Sequence, residues 1–230
     1  MDQISISGDE LAAYSATVRP DISLLYEMPQ ELNDAVQVAL ALNQPLLITG
    51  EPGTGKTALA AKLAADLHLI SNGKYLPQPF RFNTKSTSAS HDLFYTYDAL
   101  GHFYDANIRR ESQPQLSSYV TLNALGNAIA AGMSSARRNL IPARNITTDE
   151  KVYNSVVLID EIDKAPRDFP NDLLNELEQY SFQVKEAGSA FYEKDGSTRI
   201  LVILTSNNEK EFPEAFLRRC VYYHINFPGD

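Results

Sequence analysis

Apolar residues recur along the chain with two periods, one helical and one of buried strands, and their order predicts the architecture. From Pro29, the spacing of Leu32, Val36, Ala39, Leu40 and Leu42 gives one apolar helical face, terminated by Asn43-Gln44-Pro45. Leu46-Leu47-Ile48-Thr49 reads as a short buried strand. After a glycine-rich turn, Ala58 to Leu69 is a helix rich in alanine and leucine, ended by Ser71-Asn72-Gly73. Phe80-Arg81-Phe82-Asn83 is a second strand, followed by a polar loop and the aromatic stretch Leu93-Phe94-Tyr95-Thr96-Tyr97. Leu122 to Met133 is helical in pattern. Val156-Val157-Leu158-Ile159 is a continuous apolar run of the kind that fills a parallel sheet buried on both faces. A helix carrying Leu173, Leu174 and Leu177 follows, then the strands Ile200 to Leu204 and Val221 to Ile225. Strands alternating with helices imply an α/β domain on a mostly parallel sheet, with ligands at the carboxyl ends of the strands. Residues 1–22 carry no sustained period and are expected to form an N-terminal tail or arm, leaving 23–230 as one core domain.

Composition narrows the class. The chain has 230 residues, 43% hydrophobic and 21% charged, ordinary for a globular protein, and lacks an apolar run of membrane-span length. Its acidic start does not have the basic-then-apolar order of a signal peptide, and Cys220 is the only cysteine, so a cytoplasmic protein without internal disulfides is expected. The net charge of -9 argues against nucleic acid as the main partner. One segment departs from that average. Between Gly101 and Asn145, Arg109, Arg110, Arg137, Arg138 and Arg144 face only Asp105 and Glu111, which reads as a solvated loop or a basic patch.

The chemistry begins at Gly50-Glu51-Pro52-Gly53-Thr54-Gly55-Lys56-Thr57, which follows a strand and opens a helix at Lys56 to Ala58. Glycines let such a loop turn tightly with its N–H groups inward, and the helix start adds its positive dipole end, so the P-loop forms a polyphosphate cradle. Lys56 would reach the β- and γ-phosphates of ATP, and the Thr57 hydroxyl would ligate Mg2+. Asp160, ending the apolar run, can hold the magnesium shell, and Glu161 can accept a proton from a water aimed at the γ-phosphate. Adjacent Asp-Glu suits hydrolysis by water. In Thr205-Ser206-Asn207-Asn208, Asn207 is the side chain chosen to orient that water, with Asn208 the alternative. Arg218 and Arg219, at the end of a short helix, can stabilise transition-state charge in a neighbouring subunit's site.

In this order the motifs resemble those of the AAA+ ATPases over residues 45–228. Leu158-Ile159-Asp160-Glu161-Ile162-Asp163-Lys164-Ala165-Pro166 and the helix Asn171 to Glu178 look most like the MoxR-like group. The stretch from Phe182 through Val184 to Phe191-Tyr192 resembles the β-hairpin this group inserts before its sensor strand, and Tyr119 to Ala131 its insertion around the second helix. The resemblance implies a P-loop NTPase three-layer sandwich of strand order 5-1-4-3-2 and a ring, commonly a hexamer, with Arg219 the better match to the trans-acting finger and Arg218 still open. It also implies that Asn83, or Thr84, restrains Glu161. Family members continue into a helical lid; because the sequence stops at Asp230, slow turnover is expected of this form. The implied role is remodelling or maturation of a protein partner, often one with a von Willebrand factor A domain. A nucleic-acid-stimulated motor and an ATP-dependent scaffold or switch are the alternatives.

Overall fold

The computed structural model describes residues 26–107, 115–188, 190–207 and 211–226. The expected tail over 1–22, Arg109, Arg110 and Asn208 lie outside the described residues. The elements, in chain order, are α1 (Gln30–Leu42), β1 (Leu46–Gly50), α2 (Lys56–Ile70), β2 (Phe80–Asn83), β3 (Tyr95–Tyr97), α3 (Ala99–Asn107), β4 (Val120–Leu122) and α4 (Ala124–Ala131). They continue with α5 (Ser135–Arg138), β5 (Ser155–Asp160), α6 (Phe169–Gln179), β6 (Ser181–Gln183), β7 (Phe191–Glu193), β8 (Ile200–Ser206), α7 (Glu214–Leu217) and β9 (Val221–Ile225).

The main sheet has five strands in the order β2-β5-β8-β1-β9, and all four neighbouring pairs are parallel. Numbered among themselves these strands run 5-1-4-3-2, the order the resemblance implies. Strand alternation divides the apolar runs between two layers. Leu46, Ile48, Val156, Leu158, Leu201 and Ile203 pack with Leu32, Val36, Leu59 and Leu63 of α1 and α2. Leu47, Val157, Ile159, Val202 and Leu204 point the other way, against Leu125 and Ile129 of α4 and Leu173, Leu174 and Leu177 of α6. Burial on both faces is why these strands read as unbroken apolar runs.

Local chemistry sets several boundaries. Asn43 ends α1 in the left-handed region at φ 53°, its N–H bonded to the Ala39 carbonyl. Leu42, expected on the apolar face, is exposed at that terminus. The helix expected from Leu122 begins at Ala124 instead, because Leu122 pairs with Tyr95 in the antiparallel hairpin β3–β4 and Asn123 N–H bonds the Phe94 carbonyl at 2.8 Å. A second hairpin, β6–β7, pairs Phe182 with Tyr192 directly before β8, as expected. The rings of Phe94 and Phe182 stack at 5.5 Å, joining the two hairpins. Within the aromatic stretch Phe94 and Tyr95 are buried; further on, Phe103 and Tyr104 of α3 are exposed.

The arginine-rich segment is neither a solvated loop nor a surface patch throughout. Arg138 is fully buried, and its guanidinium donates to the carbonyls of Ala130, Met133, Asp149 and Lys151 at 2.6–2.8 Å. Arg137 pairs with Asp195 at 2.8 Å and Glu193 at 3.5 Å. Arg144 is exposed. Among the described residues, no helix is long and apolar enough to cross a membrane.

Candidate functional site

Because all five strands of the sheet run the same way, their carboxyl ends gather the expected chemistry on one edge. β1 delivers the glycine loop, β5 delivers Asp160 and β8 leads to Asn207. Gly50, Gly53 and Gly55 have φ of 150°, 88° and 85°. Gly50 is also sterically required, since a Cβ there would lie 2.6 Å from the Ile225 carbonyl oxygen on the adjoining β9. Thr54 closes the loop by donating its hydroxyl to the Glu51 carbonyl at 2.9 Å, and the ring of Tyr26 lies against Gly55.

Lys56, at the start of α2, is buried, and its ammonium donates to the carbonyls of Gly50 and Glu51, each at 2.7 Å. Burial pushes its pKa below the ordinary lysine value, opposed by the carboxylates of Asp160, Asp163 and Glu161. One residue further, the Thr57 hydroxyl donates to Asp160 Oδ2 at 3.0 Å across 103 positions of sequence. The other carboxylate oxygen, Oδ1, accepts from the Thr205 hydroxyl. A hydroxyl beside a carboxylate is a hard oxygen pair, which fits Mg2+, a cation that takes few protein ligands and completes its shell with phosphate and water.

Glu161 follows in the left-handed region at φ 56°, an uncommon conformation for a residue with a side chain, and turns the chain out of β5. Its carboxylate is held by Lys164 at 2.6 Å on Oε2 and by the Asn207 amide at 3.4 Å on Oε1. The Asn207 backbone N–H in turn donates to the buried Asp163 at 3.2 Å. Asn83 is exposed, and among the described residues it makes no hydrogen bond to Glu161; Thr84 is buried beside it. Restraint of Glu161 thus comes from Lys164 and Asn207 in this structure.

Pro52, Gly53, Gly55, Lys56, Thr57, Ala58, Asp160, Glu161 and Asn207 all line one cavity of about 440 Å3. Arg81 of β2 lines it too and was not singled out by sequence. Its signal is only the strand alternation that sends Arg81 away from Phe80 and Phe82. Lys164 and Thr205 were also passed over, although each lies within a motif already recognised.

Arg218 and Arg219 are exposed and stand outside this cavity. Arg218 pairs with Glu214, and Arg219 lies 3.7 Å from Glu178. They precede β9, whose Val221 pairs with Leu46 at the amino end of β1. The P-loop leaves the opposite end of that strand, roughly 13 Å away for five residues. Neither guanidinium is placed to serve its own chain's cavity.

Solved structures similar to the chain include NtrX from Brucella abortus, at 15% identity and a TM-score of 0.47, covering 96% of this chain and 41% of that one. NtrX in complex with ADP gives 16% identity and a TM-score of 0.43, covering 95% and 41%. A provisionally assigned ATPase from Cytophaga hutchinsonii gives 16% and 0.46, covering 96% and 56%. The chain thus spans about half the length, or less, of these structures. No curated protein matches it in sequence. A family model does match, over residues 46–228, from the first strand of the sheet past the last, and by it the chain belongs to the AAA family, the ATPase family associated with various cellular activities.

Proposed function

We propose that this AAA domain hydrolyses Mg-ATP at the cavity between the P-loop and the ends of β5 and β8. The observation that carries the reading is the 3.0 Å hydrogen bond from Thr57 to Asp160, which brings the phosphate cradle and the acidic strand end together. The loop N–H groups and Lys56 bind the polyphosphate, Lys56 exchanging loop carbonyls for phosphate oxygens. Thr57 and Asp160 would hold Mg2+, which supplies charge neutralisation at the β- and γ-phosphates. Glu161 takes a proton from water as its oxygen bonds to the γ-phosphorus; the bond from that phosphorus to the β,γ-bridging oxygen breaks, and ADP leaves with the electron pair. Asn207, already bonded to Glu161, orients the attacking water.

Completion of the site by a neighbour follows from the same proposal. Arg219, or Arg218 beside it, projects from the far end of the sheet and would meet another subunit's γ-phosphate in a homo-oligomeric ring, a hexamer by resemblance. The Leu158 to Pro166 motif, the helix Asn171 to Glu178 and the β6–β7 hairpin before β8 support a MoxR-like ATPase that remodels a protein partner, with a von Willebrand factor A domain protein the candidate; the acidic start and single cysteine are the ground for proposing a cytoplasmic one. Withdrawal of Arg137 and Arg138 into ion pairs and the interior weighs against the nucleic-acid motor.

Glu161→Gln tests the reaction. The variant should bind ATP at least as tightly as the unaltered chain and lose about 100-fold or more in turnover, measured by phosphate release and filter binding. Unchanged hydrolysis would remove Glu161 from the role of base.

A further inference from the structure

We propose that Thr205 is the positioning residue of this site: its buried hydroxyl fixes both the Asp160 carboxylate and the backbone of Glu161. The proposal rests on the hydrolytic reading above and assigns the origin of the site's geometry. The ladder between β5 and β8 runs from Ser155 opposite Ile200 to Ile159 opposite Leu204 and stops there. On its other side β8 continues, with Thr205 in register with Ile48 and Ser206 with Thr49. β5 therefore departs from a strand that stays in place. The Glu161 N–H, past the end of the ladder, donates instead to Thr205 Oγ1 at 2.9 Å. Thr205 is fully buried, so water does not compete for that bond.

Donor directions follow from a simple constraint. A backbone N–H can only donate, so Thr205 Oγ1 accepts from Glu161, and its single proton goes to Asp160 Oδ1. Asp160 Oδ2 accepts from Thr57, whose own proton is thereby committed to Asp160. The lone pairs of Thr57 are left for a cation, and Glu161 is held in the left-handed turn from which its side chain lines the cavity. One hydroxyl thus aligns the metal-binding pair and the base. Asn207, two residues on, lies at the same strand end, and its amide reaches the Glu161 carboxylate.

The test compares Thr205→Val, which keeps the shape without the hydroxyl, with Thr205→Ser, which keeps the hydroxyl without the methyl. Three quantities are measured on the full chain: kcat for ATP hydrolysis, the Mg2+ concentration giving half-maximal rate, and the affinity for a fluorescent ATP analogue with Mg2+ and with EDTA. Thr205→Val should lower kcat and weaken the Mg2+ response by about 10- to 100-fold, the range for residues that orient metal ligands. Its affinity in EDTA should stay within about twofold, because the loop and Lys56 are untouched, and Thr205→Ser should stay within about threefold throughout. Thr205→Val at unaltered values, or a folded Thr205→Ser as impaired as Thr205→Val, overturns the proposal. If thermal melting shows Thr205→Val unfolded, Thr205→Ala takes its place under the same criteria. A chain that binds ATP without turning it over refutes the hydrolytic reading alone, and the Mg2+-dependent gain in affinity still decides the role of Thr205. Absence of ATP binding overturns both.

Discussion

Replacing Arg138 by methionine is the perturbation whose size the structure defines best. Methionine retains most of the apolar stem but strips donors from four backbone carbonyls, those of Ala130, Met133, Asp149 and Lys151. Hydrogen bonds to charged groups contribute about 1.5–3 kcal/mol each, so four amount to roughly 6–12 kcal/mol gross. Against this stands the cost of taking a guanidinium out of water, several kcal/mol even after relaxation. The difference leaves a net loss of about 3–5 kcal/mol, a large share of the roughly 5–15 kcal/mol that holds a domain folded. Urea unfolding followed by circular dichroism reads this as a lower midpoint at unchanged slope, and heating as a melting point lower by about 10 °C. Arg138→Lys should fall between, because an ammonium has three donors and cannot span the same carbonyls. A Met variant within about 1 kcal/mol of the unaltered chain would refute the reasoning. Loss of salt-sensitive DNA affinity at unchanged stability would refute it equally, and would restore the nucleic-acid reading of this segment.

Gly50→Ala should cost about 2 kcal/mol or more and weaken nucleotide binding, because the new Cβ meets the Ile225 carbonyl of a paired strand at 2.6 Å and the residue holds φ at 150°. Thermal melting with and without ATP measures both, and a variant of unaltered stability and affinity would show that the loop has another conformation available. Burial pushes the Cys220 thiol up to about 12. Alkylation at pH 8 should therefore run at least about 100-fold slower in the folded chain than in urea, and equal rates would contradict the raised pKa of this half-buried thiol. The folded state keeps this proton longer than the unfolded one, so the stability it contributes is complete below the ordinary thiol value. That contribution is lost as pH rises from about 9 toward 12.

Much of the fold was legible because its causes are local. The apolar runs at 46–49, 156–159 and 200–204 mark strands buried on both faces, and the glycines at 50, 53 and 55 mark a loop that needs unusual backbone angles. Where pairing between distant segments intervened, local reading failed. Leu122 lies in a helical pattern yet belongs to a hairpin, since Tyr95 pairs with it across 27 residues of sequence. The Glu161 carboxylate likewise meets the Asn207 amide, 46 residues away in sequence, as well as its near neighbour Lys164, while Asn83 only ends its strand at the expected place.

What the sequence determined by itself is the chemistry available: a phosphate loop, an Asp-Glu strand end, an amide after the sensor strand and a pair of arginines. Backbone periodicity and glycine conformation act between near neighbours, so they survive in a linear reading. Tertiary structure decided which of these groups meet and in what direction. Thr57 joins Asp160, and Thr205 turns Asp160 and Glu161, only because parallel strands register across more than forty residues of sequence. Burial also hides Arg138, and the parallel pairing of β9 with β1 leaves Arg218 and Arg219 at the opposite end of the sheet from the P-loop, choices made by tertiary structure rather than by residue type.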